Sequence, residues 1–146
     1  MDNSYFELGE FLRSETAVKN KIQNYPDRFE IVDHLREMLP LLNALREDWG
    51  SGIRISSGFR CKKLNDLLPG ASKTSVHQIG YAVDMVPVNG KIDEFIEFCK
   101  EWFKDKDFDQ IIIEKSGKTK WVHFGLKNNK GEQRRMLFNI VLESNE

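Results

Sequence analysis

Residues 108–126 read FDQIIIEKSGKTKWVHFGL, and this segment predicts most of the architecture around it. Two β-prone runs flank Gly117-Lys118, a pair with glycine first that suits a two-residue hairpin turn of type II′. The turn sets a register with three facing pairs: Ser116 with Thr119, Glu114 with Trp121, and Ile112 with His123. Glu114, Trp121 and His123 then project from one face. The other face must meet the core, and its apolar residues are Ile111, Ile113, Val122, Phe124 and Leu126.

A second segment, SVHQIGYAVDM at residues 75–85, places one acidic residue in an otherwise apolar strand. Gly80 lets the chain turn back on itself, so that His77 in the preceding loop can face Asp84 in the strand. A buried carboxylate needs a partner, and a metal ion is an adequate one. The alternatives are a loop cap or an ion pair with a nearby arginine, either Arg54 or Arg60.

His77, Asp84 and His123 are therefore the candidate metal ligands. Only three histidines exist in the sequence, and two of them fall in these two segments. Two imidazoles and a carboxylate, with room for a water, are the usual ligand set of a hydrolytic zinc site. The third histidine, His34, lies in a predicted helix, and we interpret it as an ordinary flank residue rather than a ligand.

The hairpin register also gives Glu114 a candidate role. It makes Glu114 the diagonal neighbour of His123, about 7–8 Å away between backbones and within side-chain reach of a shared metal-bound water. A carboxylate in that place can take the proton from the water as it attacks a carbonyl. The alternative is a solvated charge at the end of a strand.

The rest of the chain predicts helices ahead of and between short strands. Apolar residues recur every three or four positions from Asp27 to Trp49, which predicts a long helix that contains Pro40 and ends at Gly50. The other predicted helical segments are 5–13, 16–23, 61–68 and 91–104, and the predicted strands are 53–55, 81–87, 108–114, 120–126 and 135–142. The predicted fold class is α+β, with N-terminal helices packed on a small antiparallel-rich sheet that carries the metal site.

Length and composition are those of an ordinary globular protein. We expect a single domain over residues 1–146, with a helical part at 1–50 and a core at 51–142. A balance of 22 basic against 23 acidic residues argues against a nucleic-acid binder. We expect no signal peptide and no membrane insertion, because no apolar run is long enough for either. Cys61 and Cys99 have no metal-binding spacing, and a disulfide between them stays open.

Four motifs resemble those of one enzyme family: SGFR at residues 57–60, SVHQIGYAVD at 75–84, DQIIIE at 109–114 and WVHFG at 121–125. Together they resemble the zinc D-alanyl-D-alanine carboxypeptidases, peptidoglycan peptidases of bacteria and phages that share a fold with lysostaphin-type enzymes and hedgehog domains. The N-terminal SETAVKNKIQNYP is similar to a phage-associated subgroup. The resemblance covers most of the chain, and His-x6-Asp followed by Trp-x-His is specific as a combination.

The resemblance implies that His77, Asp84 and His123 hold one Zn²⁺ ion and leave a coordination position for water. The sequence departs from the family at the catalytic acid, which many relatives carry three residues before the last histidine. That position is Lys120 here, and a protonated lysine cannot act as a base. The subgroup with DQIIIE has its acid at Glu114 instead, in agreement with the hairpin register, so we predict Glu114 as the catalytic residue.

The resemblance also implies substrate-binding residues. Arg60, after the Ser-Gly-Phe turn, would hold a carboxylate of the cell-wall peptide, whereas without the resemblance it would be interpreted as a surface arginine paired with Asp66. Ser75 is predicted to contact the substrate or to orient the first ligand, although a loop serine is as often a cap. Asp109 and Gln110 are candidates for residues that orient the metal ligands without binding the metal themselves.

The function that the resemblance implies is that of a single zinc peptidase domain. It would hydrolyse amide bonds in peptidoglycan stem or cross-link peptides by attack of a zinc-bound water, as a carboxypeptidase or an endopeptidase. We expect a soluble monomer that stays in the cytoplasm until it is released to the cell wall as a phage or prophage endolysin, or that is carried in a virion. The alternatives are a non-catalytic zinc module that binds the wall or has a structural role, and an intracellular interaction domain without a metal.

Overall fold

The computed structural model of the chain describes residues 4–142 and has the predicted α+β architecture. Its α-helices are α1 (Glu15–Lys19), α2 (Phe29–Trp49), α3 (Lys62–Leu67) and α4 (Ile92–Trp102). Its strands are β1 (Ile53–Ser57), β2 (Ala82–Pro87), β3 (Gln110–Ser116), β4 (Thr119–Gly125) and β5 (Met136–Leu142). Short 3-10 helices occupy Leu8–Phe11, Val76–Ile79 and Phe103–Asp105. The bounds differ from the predicted ones by a few residues.

The strands form one sheet in the order β1-β2-β4-β3-β5. Three neighbouring pairs are antiparallel, and only β3 and β5 run parallel to each other. The segment after β4 carries the chain to the other side of β3. There β5 begins at Met136, which lies beside Gln110, the first residue of β3. The sheet is thus antiparallel-rich, as predicted, and mixed.

The hairpin of β3 and β4 has the register that its turn predicts. Glu114 pairs with Trp121, Ile112 with His123, and Ser116 with Thr119. Gly117 has a φ of +59°, and Lys118 does not have a positive φ. This combination matches a type II′ turn, in which only the first central residue needs the left-handed region. The turn therefore sets which side chains share a face with His123.

The long helix α2 buries one stripe of apolar side chains and ends where the sequence predicts. Gly50 adopts a φ of +77° after the last turn, as expected of a helix C-cap glycine, and Pro40 lies inside the helix. The buried stripe is Ile31, Leu35, Met38, Leu42 and Leu45. Among residues 4–142, no helix has both the length and the apolar character needed to cross a membrane.

Helices α2 and α4 cover one face of the sheet. The sheet residues that point toward them alternate along each strand and belong to one buried core cluster: Val83, Met85, Ile111, Ile113, Val122 and Phe124. The intervening residues Asp84, Ile112 and His123 point to the opposite face. The apolar core therefore packs against one face of the sheet. The other face, which carries the candidate ligands, is free to form a site.

Gly58 is a point of close backbone approach. A side-chain β-carbon at this residue would lie 2.4 Å from the carbonyl oxygen of Phe11. The same oxygen accepts a hydrogen bond from the Phe59 amide at 2.6 Å. Only glycine lets the N-terminal segment dock on this turn.

We therefore expect Gly58→Ala to lower the free energy of unfolding by about 1–3 kcal/mol, because the clash is with backbone that cannot rotate away. Chemical denaturation measures the change. Gly9→Ala is the matched control, since a β-carbon there would have no atom within 4 Å. Equal stability of the two variants would show that the close approach is not rigid.

The two cysteines are free thiols. Cys99 is completely buried on α4, and burial raises the pKa of its thiol. Cys61 is partly buried just before α3. The structure thus places neither residue in a disulfide, and Cys99 packs as a small apolar core residue.

Candidate metal centre

The three predicted ligands converge. His77 Nε2 lies 3.3 Å from Asp84 Oδ1, and His123 Nδ1 lies 3.0 Å from the same oxygen. One donor atom from each residue lies within 4.8 Å of the other two, which is close enough to hold one metal ion. All three side chains are buried, with no more than 7% of any residue exposed.

Two neighbouring strands and one turn position these ligands. Asp84 on β2 directly faces His123 on β4, so both side chains project from the same face of the sheet. His77 lies on the 3-10 helix Val76–Ile79 rather than in an open loop. Gly80 ends that helix with a φ of +82°, which returns the chain to β2 as predicted.

Hydrogen bonding fixes the tautomer of His77. Its Nδ1 lies 2.8 Å from the Gly58 carbonyl oxygen, which can only accept, so Nδ1 carries the proton and donates. Burial lowers the pKa of the His77 imidazole, and the Asp84 carboxylate opposes this. Because Nδ1 is bonded to Gly58, Nε2 is the ring nitrogen that faces Asp84.

Asp84 is ionised. Burial alone would raise the pKa of its carboxyl, but the His77 and His123 imidazoles hold that pKa well below its ordinary value. The Asp84 carboxylate oxygen thus faces an imidazole nitrogen from each histidine, at 3.3 Å for His77 and 3.0 Å for His123, inside the protein. A proton on an imidazole or a metal cation can balance the buried negative charge. The donor set, two imidazoles and a carboxylate, fits Zn²⁺.

Arg60 supports the carboxylate of Asp84. Its Nη2 donates to Asp84 Oδ2 at 3.2 Å, its Nε donates to Ser57 Oγ at 3.0 Å, and its Nη1 makes a longer bond to Asn65 Oδ1 at 3.4 Å. Of the pairings that the sequence left open, the structure has the one between Arg60 and Asp84, and Asp66 pairs with Lys62 instead. Because Arg60 occupies Oδ2, Oδ1 remains turned toward the two histidines.

Glu114 lies beside the ligands. Its Oε1 is 3.6 Å from His123 Nδ1, and its side chain is 16% exposed. Burial and the negative charge of Asp84 raise the pKa of Glu114, against the smaller opposing influence of His123 and Arg60. The Trp121 indole N–H also lies near Glu114 and has the smallest influence on the pKa of that carboxyl. It does not reach hydrogen-bonding geometry with Glu114, and the indole nitrogen is buried without an acceptor among the described residues.

Two other predicted residues have clear local contacts. Ser75 caps the 3-10 helix, because its Oγ accepts a hydrogen bond from the backbone N–H of His77 at 3.2 Å. This contact holds the backbone of His77, the first predicted ligand. Lys120, at the position where many relatives carry their acid, forms an ion pair with Asp93 at 2.8 Å. Its neighbour Trp121, and not Lys120, lines the cleft around the ligands.

Asp109 anchors the segment that follows β4 rather than touching a ligand directly. Its carboxylate accepts two hydrogen bonds from the Arg134 guanidinium, at 2.8 and 2.9 Å, and one from the Arg134 backbone N–H at 3.1 Å. Its own side chain is only 1% exposed. Gln110, the other residue predicted to support the site, lines the cleft and pairs with Gly125.

The Asp109 contacts predict a pH-dependent stability. Burial alone would raise the pKa of Asp109, but the bonds from Arg134 lower it below the ordinary value of about 3.9. A lowered folded-state pKa adds stability above the unfolded pKa, and this stability is lost as the pH falls. We expect Asp109→Asn to cost about 1–3 kcal/mol at pH 7 and progressively less below about pH 4. Thermal unfolding across this pH range measures the difference.

Asp107→Asn is the matched control for that measurement. Asp107 is 85% exposed and approaches Arg135 only at 4.0 Å. Its replacement should leave stability within about 0.5 kcal/mol of the parent at every pH. A constant difference between Asp109→Asn and the parent from pH 7 to pH 3 would exclude an ionised, bonded Asp109.

The ligands and Glu114 lie in a cleft of about 770 Å³. The site face of the sheet forms its floor. The other residues around the cleft come from the loop at 68–76, from 128–134, and from Ile140 and Leu142 of β5. Sequence reasoning did not predict these walls, because nothing in their composition marks them as parts of a cleft.

Sequence reasoning also missed the residues that hold the Ser-Gly-Phe-Arg turn. Asn24 is buried, donates to the carbonyl oxygens of Leu12 and Phe59, and accepts from the Cys61 N–H at 2.8 Å. Asn65 is buried on α3, donates to the Ser72 carbonyl, and accepts from Arg60. The available signal was weak: Asn24 precedes the Tyr-Pro pair that ends the first helical region, where asparagine is common.

Comparison with known proteins assigns the chain to a family. It matches the family model described as Peptidase M15 over residues 4–125, most of its length. No curated protein and no solved structure matches it. The matched range contains all three converging side chains and Glu114, and membership identifies the chain as a peptidase of the hydrolase class. The chain belongs to the peptidase M15 family, the zinc D-alanyl-D-alanine carboxypeptidase-like group that its motifs resemble.

Proposed function

We propose that the chain is a zinc peptidase that hydrolyses amide bonds in the stem or cross-link peptides of peptidoglycan. The observation that carries the proposal is the buried convergence of three side chains: His77 Nε2 lies 3.3 Å from Asp84 Oδ1, and one donor atom each from His77, Asp84 and His123 lies within 4.8 Å of the others. His123 supplies the third donor atom on the same side of that oxygen. One Zn²⁺ ion, held by these three residues, is the cofactor in this proposal.

The zinc ion, when bound, supplies Lewis acidity that polarises the scissile carbonyl and lowers the pKa of water. The protein's own residues do the rest of the chemistry. Glu114 accepts a proton from the attacking water and delivers it to the leaving amine. Its raised pKa brings the carboxyl closer to the pH at which it can both accept and return a proton. The Gly58 carbonyl accepts a hydrogen bond from His77 Nδ1, so the ring is already oriented with Nε2 toward the site.

Arg60 has two roles in this proposal. It holds Asp84 through one N–H, and of its five N–H donors three are engaged with protein side chains. The remaining donors are available to a carboxylate of the cell-wall peptide, as the family resemblance implies. Ser75 lines the cleft as well as capping the helix of His77, so its hydroxyl is a second substrate contact.

The biological setting that we propose is bacterial cell-wall degradation by a phage or prophage endolysin. The family membership supports a peptide substrate, and the N-terminal similarity to phage sequences supports the setting. The proposal covers trimming of a terminal D-alanine and cleavage within a cross-link. These two cleavages give different products, so one digestion experiment can separate them.

Digestion of purified peptidoglycan, with and without a chelator, tests the proposal. We expect the zinc-supplied protein to release peptide fragments, with a mass change that identifies the cleaved bond, and the chelator to abolish release. Free D-alanine would indicate carboxypeptidase action, and shortened cross-links would indicate endopeptidase action. No release with zinc present, or release that resists the chelator, would refute the proposed function.

A further inference from the structure

We propose that a second groove beside the metal cleft binds the acyl part of the substrate, which is the part on the carbonyl side of the cleaved bond. In this proposal Lys73 and Lys130 bind a carboxylate of that part, separate from the one assigned to Arg60. The inference rests on the proposed peptidase function and adds the substrate class: peptides with an acidic residue before the cleaved bond. The groove has a volume of about 700 Å³, and its lining residues come from the segments 25–31, 59–62 and 73–79 and include Asn129.

The second groove adjoins the metal cleft. Three residues line both of them: Thr74, Ser75 and Asn129. Asn129 Nδ2 donates a hydrogen bond to the Thr74 carbonyl oxygen at 3.0 Å, and this bond joins the loop before His77 to the segment after β4. A peptide that extends out of the cleft over these three residues therefore enters the second groove.

The order of the site residues across the sheet indicates which half of the peptide continues there. Glu114, which would return a proton to the leaving amine, must lie close to that nitrogen. Glu114 is on β3, Asp84 is on β2 with β4 between them, and His77 lies on the 3-10 helix that precedes β2. Gln78 and Ile79 of the same helix line the groove. The acyl part should therefore extend away from Glu114, past His77 and into the groove.

The groove is within reach of a short peptide. Lys73 precedes His77 by four residues, so their α-carbons are at most about 14 Å apart even in a fully extended chain. The Ser75 backbone N–H donates to the Ser72 carbonyl at 3.1 Å, and this turn shortens the distance. Since an extended peptide advances about 3.3 Å per residue, a carboxylate at Lys73 would belong to a residue within about four positions of the cleaved bond.

The charges of the groove favour an acidic ligand. Its charged lining residues are three cations and one acid: Arg28, Lys62, Lys73 and Asp27. Arg28 lies 3.8 Å from Asp27, and Lys62 pairs with Asp66 at 2.9 Å. The exposed ammonium group of Lys73 has no ion-pair or hydrogen-bond partner within residues 4–142. Its charge is therefore available to a ligand.

Lys130 brings a second unpaired cation to the same boundary. It follows Asn129 directly, lines the metal cleft, and has no acidic partner in the described part of the chain. Lys73 directly precedes Thr74, the residue that is bonded to Asn129. The two lysines therefore flank the place where the cleft meets the groove, and together they form a positive site that suits a carboxylate.

The acidic residues of the cleft do not neutralise this pair of lysines. Each of them has another neighbour: Asp84 is bound to Arg60, Asp109 to Arg134 and Glu132 to Asn128, and Glu114 lies beside His123. The two ammonium groups are thus left for the substrate.

The test uses synthetic peptides that contain the bond cleaved in peptidoglycan, with an acidic residue or its amide placed in turn at each of the four positions before that bond. At the matching position we expect the parent to prefer the carboxylate by about 5–20-fold in kcat/KM, mainly through KM, since each exposed ion pair supplies about 2–5-fold. Lys73→Gln should reduce this preference, and Lys73→Gln combined with Lys130→Gln should abolish it. Raising the ionic strength from about 0.01 M to 1 M should also reduce it, because the screening length falls from about 30 Å to 3 Å.

Lys63→Gln is the matched control. Lys63 is exposed on α3 next to Lys62 but lines neither the groove nor the cleft. Its replacement should leave the carboxylate-to-amide ratio at the parental value. Zinc content and the thermal midpoint of each variant establish that the fold and the metal site are intact.

Two results would overturn the role of the groove while the peptidase function stands. One is that the parent cleaves the carboxylate and amide peptides equally well at all four positions. The other is that the double lysine variant keeps the parental preference. If the parent with zinc cleaves neither these peptides nor peptidoglycan, the proposed function itself fails.

Discussion

Replacing Glu114 with glutamine should lower kcat for peptide hydrolysis by about 10²–10⁴-fold and leave zinc binding in place. The amide keeps the size of the side chain but cannot accept a proton from water. Glu114 Oε1 lies 3.6 Å from His123 Nδ1, so the side chain is next to the predicted metal ligands. It is not one of the three residues whose donor atoms converge. Steady-state kinetics on a defined peptide, combined with metal analysis of the same sample, measures both effects.

Glu132→Gln is the control for that change. Glu132 lines the same cleft on the segment after β4, where it accepts a hydrogen bond from Asn128. Its replacement should alter kcat less than about threefold, as expected for a group that moves no proton. Parental activity in Glu114→Gln would remove this residue as the base. Absence of activity in the parent as well as the variant, with zinc bound to both, would favour a non-catalytic zinc module.

Asp84→Asn should abolish activity and zinc binding together and should also destabilise the protein. The carboxylate is both a proposed ligand and the partner of Arg60, whose side chain is only 13% exposed. Removing one member of a buried ion pair leaves an uncompensated charge and costs about 3–5 kcal/mol. Thermal unfolding with and without zinc measures the effect: zinc should raise the melting temperature of the parent and leave that of the variant unchanged.

The control for this change is Asp93→Asn. Asp93 also forms an ion pair, with Lys120, but its side chain is 79% exposed. The replacement should cost less than about 1 kcal/mol and should preserve the response to zinc. A parental response to zinc in Asp84→Asn would mean that the carboxylate is not a ligand.

The convergence of the site was predictable because β-structure has a period of two. The turn at Gly117 fixes which residues of β3 and β4 share a face, and this rule alone brings Glu114 to His123. The same alternation puts Asp84 on the site face of β2. Local sequence was sufficient at these points because each inference needed only one turn or one strand.

The direction of β5 and the contacts of Arg60 were not predictable in the same way. Alternation along a strand is identical for parallel and antiparallel pairing, so the sequence of β5 does not indicate that it runs parallel to β3. Arg60 is held by Ser57, Asn65 and Asp84, which come from three separate elements. Such a network depends on how those elements pack, which no single segment encodes.

Crystals grown with zinc, measured at wavelengths on both sides of the zinc absorption edge, would locate the ion itself. We expect one anomalous peak per chain, about 2.0–2.2 Å from His77 Nε2, Asp84 Oδ1 and His123 Nδ1. His77→Ala crystals treated identically should lack the peak. An ion bound elsewhere, or a zinc-soaked parent crystal with no peak between these three atoms, would contradict the assignment of this cluster as the metal centre.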